Sequence, residues 1–221
     1  MMPRFAASLL LICASALPQT PSTFSLKSFH DSAPGITYFY PGEFKPMMPA
    51  SPAKDASASP HCVRTSFSGG SDPAAGNSAF VFSLIDNACP GVLKEAQQLG
   101  SFTRVQILRQ MKRYGTPVIT HEPVRYTVAG HPAAVTLASA QAEDNQEAGT
   151  QKKNGDGTTY AAKACILTGS PTTGRRDSDP KQVLCFDFTT TRQDLLPRLA
   201  AFSVQFDGET LQSLVPGAIL R

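Results

Sequence analysis

Short apolar runs of strand type alternate along the chain with polar loops and with one stretch of helical spacing. The segments 36–40 (ITYFY), 61–69 and 79–86 are rich in β-branched and aromatic residues, which favours β-strands. The segment 79–86 is almost continuously apolar, and such a run is typical of a strand that is covered on both faces. The first half of the chain therefore predicts a sheet that is buried on both sides.

The stretch of helical spacing follows this run. Between Val92 and Met111 the apolar residues recur at intervals of three and four, which predicts a helix with one apolar side. A break at Gly100 is expected to divide it into two helices, at 91–99 and 102–114.

Three cations, Arg109, Lys112 and Arg113, lie in the last turn of the second predicted helix. Cations at this end stabilise the negative end of the helix dipole, which is the preferred interpretation of the cluster. An anion-binding site is the alternative interpretation.

The second half of the chain predicts further strands and a closing helix. The strands are expected at 124–130, 132–140, 158–169 and 182–190. Asp194 is the expected N-cap of the helix, and Pro197 lies in its first turn, where a missing N–H costs nothing. The apolar stripe of this helix consists of Leu195, Leu199, Phe202 and Phe206.

Composition and charge narrow the class of protein. The chain has 221 residues, of which 41% are hydrophobic, so it suits one domain with a substantial core. The net charge of +3 is small and scattered along the sequence, which argues against a nucleic-acid interface.

The N-terminal segment 1–16 is predicted to be an export signal. One positive charge, Arg4, precedes an apolar run, and a small-x-small cleavage motif ends at Ala16. The segment 17–34 is then a linker or an edge segment, followed by a single domain at 35–221. No later apolar run is long enough to span a bilayer, so no integral membrane segment is expected after cleavage. The expected location is periplasmic or extracellular.

Cysteine usage agrees with export. Cys62, Cys89, Cys165 and Cys185 remain after signal cleavage and allow three pairings, and none of them forms C-x-x-C. A bond between Cys62 and Cys89 would join a strand to the start of a helix. Cys165 and Cys185 lie on two strands that are expected to pair, so they could also meet. Four free, buried thiols are the alternative.

The sequence lacks the motifs of common catalytic, metal and cofactor sites. It contains no Gly-x-Ser-x-Gly elbow, and the segment 169–176 (GSPTTGRR) lacks the lysine and hydroxyl of a phosphate-binding loop. None of the four histidines has a ligand at metal-binding spacing on a helix. These histidines are His30, His61, His121 and His131. We therefore predict no catalytic residue, no metal ligand and no cofactor.

A family resemblance rests on several weak local words in a characteristic order. These words are GITYFYPGEF, VAGHPAA, YAAKACIL, VLCFDFTT and DLLPRLAAFSVQFDG. Over residues 35–207 the chain resembles the PsbP/Mog1-like superfamily, especially its small exported bacterial members. The resemblance implies an α+β fold of the α/β/α sandwich type, in which helices cover both faces of a central, mainly antiparallel sheet. It also implies a binding or assembly factor rather than an enzyme.

The aromatic opening strand acquires a role in such a fold. A strand covered on both faces is expected to bury consecutive aromatic residues, here Tyr38, Phe39 and Tyr40, with the two hydroxyls reaching polar partners or solvent. The turn that follows, with Pro41, Gly42 and Phe44, is the candidate for an exposed contact patch.

Three functions follow from these patterns. We favour an exported, non-catalytic binding or assembly module of the cell envelope, with an unidentified protein as partner. A hydrolase with an unrecognised site is the first alternative and predicts a histidine within hydrogen-bond reach of a serine or a carboxylate. A carrier of a small apolar ligand is the second and predicts an enclosed apolar cavity.

Overall fold

The computed structural model describes residues 25–32, 35–47, 62–71, 77–86, 88–142, 157–168, 182–206 and 208–220. The predicted export signal at 1–16 lies outside these ranges, and so does His61.

The described elements are eleven strands, two α-helices and three 3-10 segments. The strands are β1 (Leu26–Asp31), β2 (Ile36–Pro41), β3 (Lys45–Met47), β4 (Arg64–Gly70), β5 (Ser78–Ile85), β6 (Thr116–Val128), β7 (His131–Gln141), β8 (Thr158–Thr168), β9 (Gln182–Thr190), β10 (Ser203–Phe206) and β11 (Glu209–Leu211). The helices are α1 (Pro90–Ala96) and α2 (Leu99–Met111), and the 3-10 segments are Lys112–Tyr114, Gln193–Ala201 and Gly217–Leu220.

The strands form two sheets. Seven strands follow the order β3-β4-β5-β9-β8-β7-β6, and four follow the order β1-β2-β10-β11. Every pairing in both sheets is antiparallel, which confirms the predicted mainly antiparallel architecture. Strand β1 lies at the edge of the smaller sheet, within the segment 17–34.

The two faces of the seven-stranded sheet are covered by different layers. Helices α1 and α2 pack on one face. The smaller sheet and the segment Gln193–Ala201 pack on the other. In the described part of the chain, α-helices therefore cover one face only, which corrects the expectation of helices on both. A second sheet can replace a helical layer because its inward-facing side chains also form a continuous apolar surface.

The opening strand β2 belongs to the core, as its aromatic run predicts. Tyr38 and Tyr40 are buried, whereas Phe39, on the opposite side of the strand, is half-buried. The period of two places successive side chains on opposite faces of the smaller sheet, so only alternate residues reach the large sheet. Tyr38 lies against the rings of Phe67 and Phe82, with centroid distances of 5.5 and 4.7 Å.

The predicted closing helix is wrong in type and in extent. Gln193–Ala201 is a 3-10 segment in which Asp194 makes no cap bond and instead accepts hydrogen bonds from Arg192. Pro197 lies in its interior. Phe206 belongs to β10, which pairs with β2. The pattern of alternating apolar residues in 202–206 fits a strand as well as a helix, and pairing with β2 decides the outcome.

The long helical stretch is divided at Gln97–Gln98, three residues before the expected break at Gly100–Ser101, and α2 ends at Met111. Gly115 then reverses the chain with a φ of 134°. A Cβ at this position would lie 1.9 Å from the carbonyl oxygen of Gln141, so only glycine fits. Strand β6 begins immediately afterwards and is eight residues longer at its start than predicted, because two bulges let it follow the edge of the sheet.

Two disulfide bonds join the four cysteines. Cys62 is bonded to Cys89, the residue that precedes α1, with 5.2 Å between the Cα atoms. Cys165 is bonded to Cys185, its direct neighbour across the β8–β9 pair. The first bond is half-buried, whereas the second lies in the core beneath the helices. Two disulfides are consistent with an exported protein, since such bonds persist in oxidising compartments.

Candidate functional site

The turn that the sequence nominates as a contact patch is not presented to solvent. Pro41 and Phe44 are buried, and Gly42 is half-buried. The ring of Phe44 lies among those of Phe80, Phe188 and Phe202, at centroid distances of 5.4 to 6.1 Å. This burial corrects the expectation that Pro41 and Phe44 are exposed, because the turn folds its aromatic side chain back between the two sheets.

A short polar chain joins β2 to β4 and β1. The Tyr38 hydroxyl donates to Ser66 Oγ at 2.6 Å, and Ser66 Oγ donates to Asp31 Oδ2 at 2.6 Å. Ser66 occupies the bulge of β4, which turns its side chain towards the tyrosine. Burial raises the pKa of Tyr38 far above its usual range, and the hydrogen bond to Ser66 opposes this rise only in part. The phenol therefore stays protonated and donates a hydrogen bond, and these two hydrogen bonds hold the buried hydroxyl of Tyr38 in place.

His131 comes nearest to the histidine site that a hydrolase would need. Its Nε2 lies 3.0 Å from Glu209 Oε2, at the point where the β6–β7 and β10–β11 hairpins meet. The other described neighbour of the ring is Phe206, at 6.1 Å between centroids. A histidine and a carboxylate supply a base and its orienting group, but acyl transfer also needs a nucleophile beside the base. Among the described residues, the contacts of His131 include no such nucleophile, and the pair ties two hairpins together.

A buried polar row crosses three central strands beneath α2. Thr136, Lys163 and Asp187 are register partners on β7, β8 and β9. Lys163 Nζ donates to both carboxylate oxygens of Asp187, at 2.7 and 2.8 Å. Thr136 and Thr103 of α2 share a hydrogen bond of 2.8 Å. The row is internally satisfied, which is the condition under which buried polar groups are tolerated.

Each of these three groupings joins different elements of the fold through polar contacts. Within the described ranges every buried side-chain nitrogen and oxygen has a hydrogen-bond partner. The same part of the chain contains no group of three or more histidine, cysteine or acidic side chains that could hold a metal ion.

Charge is concentrated on the outer side of α2. Residues 99–114, which form α2 and the following 3-10 turn, contain Arg104, Arg109, Lys112 and Arg113 but no aspartate or glutamate. These sixteen residues thus carry +4, and because the whole chain carries +3, all other residues together carry −1. The net charge is therefore concentrated in one basic helix and is not scattered along the sequence as expected.

All four cations are exposed, and they have few acidic partners. Arg104 Nε lies 3.1 Å from Glu122 Oε2 on β6, in a pair that is open to solvent. Arg113 lies over the ring of Tyr114, 4.7 Å from its centroid. Arg109 and Lys112 make no ion pair within the part of the chain that the structure describes. Their charges are therefore available to an external partner.

Apolar side chains lie among these cations. Val105 is 43% exposed, and Leu108 is half-buried. On a helix, residues three or four apart are neighbours, so Leu108 lies between Arg104 and Lys112, and Val105 lies beside Arg109. We call Arg104, Val105, Leu108, Arg109 and Lys112 the outer face of α2.

The opposite side of α2 holds the helix firmly in place. Thr103, Ile107 and Met111 are fully buried against the large sheet. The outer face is consequently displayed by a rigid element, and it needs no ordering when it meets a partner.

The sequence indicates only part of this surface. Arg109, Lys112 and Arg113 stand out in it, and their preferred interpretation from the sequence alone is stabilisation of the helix dipole. The signal that was available is the lack of any acidic residue between 96 and 121. Glu122 and Glu209 were missed as partners of Arg104 and His131, since each pair joins two different elements that only the fold brings together.

Comparison with known proteins gives structural likeness only. No family model matches the chain, and no curated protein matches it by sequence. The structure is similar to that of LpqN, which is involved in cell envelope biogenesis of Mycobacterium tuberculosis, with a TM-score of 0.41 and 13% identity over 86% of this chain and 92% of that one. It is also similar to PsbP (CyanoP) from Synechocystis sp. PCC 6803, with a TM-score of 0.43 and 11% identity over 86% of this chain and 99% of the other. A PsbP is thus among the structures to which this one is similar.

Among the described residues, no helix combines the length and the apolar character that crossing a membrane requires.

Proposed function

We propose that the protein is an exported, non-catalytic binding module of the cell envelope, and that it binds through the outer face of α2. The observation that carries the proposal is the charge distribution. Four exposed cations stand on sixteen residues without an acid, while the rest of the chain is close to neutral. A concentrated positive field of this kind attracts and orients anionic partners.

The burial of α2 supports this choice of surface. Its packing on the sheet uses the inner residues Thr103, Ile107 and Met111, so the cations of the outer face are not needed to hold the helix. Exposed ion pairs contribute little to stability, typically about 0–1 kcal/mol. Function is therefore a better explanation than folding for the charge on this face.

The internal polar groups support a binding role rather than catalysis. The serine and histidine pairs that could suggest a hydrolase are Ser66–Asp31 and His131–Glu209. Ser66 is only 6% exposed, and its hydroxyl is already held between a phenol and a carboxylate. Neither of these two pairs brings an accessible nucleophile next to a base, which covalent catalysis requires. A third pair joins His30 Nδ1 to Thr37 Oγ1 at 3.0 Å, and because the two residues are direct neighbours across β1 and β2, we interpret it as a cross-strand contact that stabilises the sheet.

Export is supported by two observations. The segment 1–16 has the charge, apolar run and cleavage motif of a signal peptide. The two disulfides would be rare in a reducing cytosol.

The experiment compares two variants that remove the same charge from different places. The first is R109Q/K112Q on the outer face of α2. The second is K27Q/K45Q, which neutralises two exposed lysines on the edge strands β1 and β3. The mature protein is sedimented with an envelope fraction, and the bound share is measured by quantitative immunoblot. We expect R109Q/K112Q to lose most of the bound share and K27Q/K45Q to keep it.

Thermal unfolding of all three proteins provides the control for folding, and we expect equal midpoints. If both double variants bind as the parent does, the outer face of α2 is not the binding surface and the proposal is wrong.

A further inference from the structure

We propose that the partner of the outer face of α2 is the headgroup layer of an anionic phospholipid membrane. This inference rests on the proposed binding function and names the chemistry of its partner.

The arrangement of apolar and basic side chains on this face is the first argument. Val105 and Leu108 are three residues apart, so they form one small apolar strip along the helix. Arg104, Arg109 and Lys112 surround the strip, each within one helical turn of it. An interfacial helix places its apolar residues among the lipid chains and its cations among the headgroup phosphates.

The second argument is what other anionic partners would require. A soluble polyanion is bound mainly by cations. The groove that binds a single-stranded nucleic acid usually adds aromatic side chains, on which the bases stack. The outer face of α2 offers no aromatic residue among its five members and instead exposes 43% of Val105, an aliphatic side chain. A membrane surface uses both the charge and the exposed aliphatic carbon.

Rigidity and charge asymmetry are the third argument. Because α2 is fixed by its buried side, the strip and the cations reach a flat surface together without a loss of backbone freedom. The remaining residues carry −1 in total, so the positive charge that an anionic membrane attracts is most concentrated on this helix. The contact therefore fixes one orientation of the protein on the membrane.

The expected affinity is modest and reversible. Each cation near an anionic lipid surface contributes roughly five-fold in the partition coefficient. Neutralising Arg109 and Lys112 should therefore weaken binding by roughly 25-fold, and added salt should weaken it further, because charge attraction is screened.

The experiment is co-sedimentation of the mature protein with two kinds of vesicle. One kind is pure phosphatidylcholine, and the other contains about a quarter phosphatidylglycerol. Two double variants, R109Q/K112Q and K27Q/K45Q, test the charge. Two single variants test the apolar strip, V105N on the outer face of α2 and L26N, which replaces an exposed leucine on β1. Heparin affinity is measured in parallel as the test for a soluble polyanion.

The expected result is binding to the phosphatidylglycerol vesicles alone. This binding should fall in R109Q/K112Q and in V105N and persist in K27Q/K45Q and L26N. Two results overturn the inference. One is that the protein does not bind the vesicles, although R109Q/K112Q still loses its binding to the envelope fraction. This result keeps the proposed binding function but gives it another partner. The other is an affinity for heparin that falls in R109Q/K112Q but not in V105N, while no protein binds the vesicles. This result identifies a soluble polyanion as the partner.

Discussion

The two faces of the seven-stranded sheet are buried by side chains of different size. The face that meets the smaller sheet is filled by large rings, which touch one another in a continuous network. Its aromatic members are Tyr38, Tyr40, Phe44, Phe67, Phe80, Phe82, Phe186, Phe188 and Phe202. The face that meets the helices is lined mainly by small strand residues, and it includes two larger ones, Ile85 and Val183. The small residues are Ala134, Ala138, Ala140, Ala161, Cys165 and Cys185.

The difference shows how a stable core can support α2, the proposed binding helix, while the outer side of that helix stays exposed. Rings bury large apolar areas, so the aromatic face supplies much of the stability. Alanines leave room for α2 close to the sheet, and the large side chains of the helices fill the space between them; these are Leu93, Leu99, Phe102, Ile107 and Met111. The outer side of α2 is thereby left free to carry charge.

The largest expected effect tests the aromatic face. Phe202 is fully buried, and its ring contacts those of Phe82 and Phe186 at 6.3 and 4.8 Å. Phe202→Ala should lower the free energy of unfolding by about 3–5 kcal/mol, because it removes a ring and leaves a cavity. Phe102→Ala on the helix face should cost less, since Phe102 retains 8% exposure. Urea unfolding measures both, and equal losses would show that the two faces share the stability.

The second effect tests the polar row of the helix face. Asp187→Ala leaves the Lys163 ammonium buried without its carboxylate, and we expect a loss of about 3 kcal/mol in the free energy of unfolding. The double variant Lys163→Met, Asp187→Leu should lie near the parent, because an apolar pair avoids the desolvation of two charges. Denaturant unfolding of both variants supplies the comparison. A double variant as unstable as the single one would mean that the ion pair itself, and not its burial, stabilises the sheet.

The third effect is a loss of stability at alkaline pH that arises on the aromatic face. Below about pH 9 both folded and unfolded chains keep their phenol protons, so tyrosine contributes no pH dependence. Above about pH 10 the unfolded chain releases the proton of Tyr38, while burial holds its folded pKa higher, so stability falls as pH rises. The slope should reach about 1.4 kcal/mol per pH unit from this residue.

Tyr38→Phe isolates this effect, because it removes the group that titrates. Its unfolding free energy should decline less between about pH 10 and 12 than that of the parent. Burial raises the pKa of Tyr126 as well, so the variant should keep part of the slope. An unchanged slope in Tyr38→Phe would show that Tyr38 ionises in the folded protein as easily as in the unfolded chain.

The comparison also shows what the sequence could predict. The sheet was predictable because runs such as 158–169 and 182–190 combine β-branched residues with burial on both faces, and they became β8 and β9 almost unchanged. The layer that covers the aromatic face of this sheet was not predictable, because the apolar spacing in 195–206 fits both a helix and a 3-10 turn followed by a strand. The outer face of α2 was half predictable. Its cations are visible in the sequence, whereas their availability depends on which acids the fold brings near.

The smallest effect tests how closely α2 lies against the sheet. Ala138 on β7 is 1% exposed and belongs to the cluster of Ile107 and Met111. Ala138→Leu adds three carbons to this space and should lower the free energy of unfolding by about 1–2 kcal/mol, because a packed core accepts added volume only by shifting α2. Since α2 is the proposed binding element, the same variant should also bind the envelope fraction less well than its folded share accounts for. The matched control is Ala142→Leu, which adds the same volume at an exposed position beyond the end of β7 and should leave stability and binding unchanged. If Ala138→Leu is as stable as the parent, close packing of α2 on small side chains does not contribute to stability. The two faces would then differ in amino-acid composition but not in how tightly they are packed.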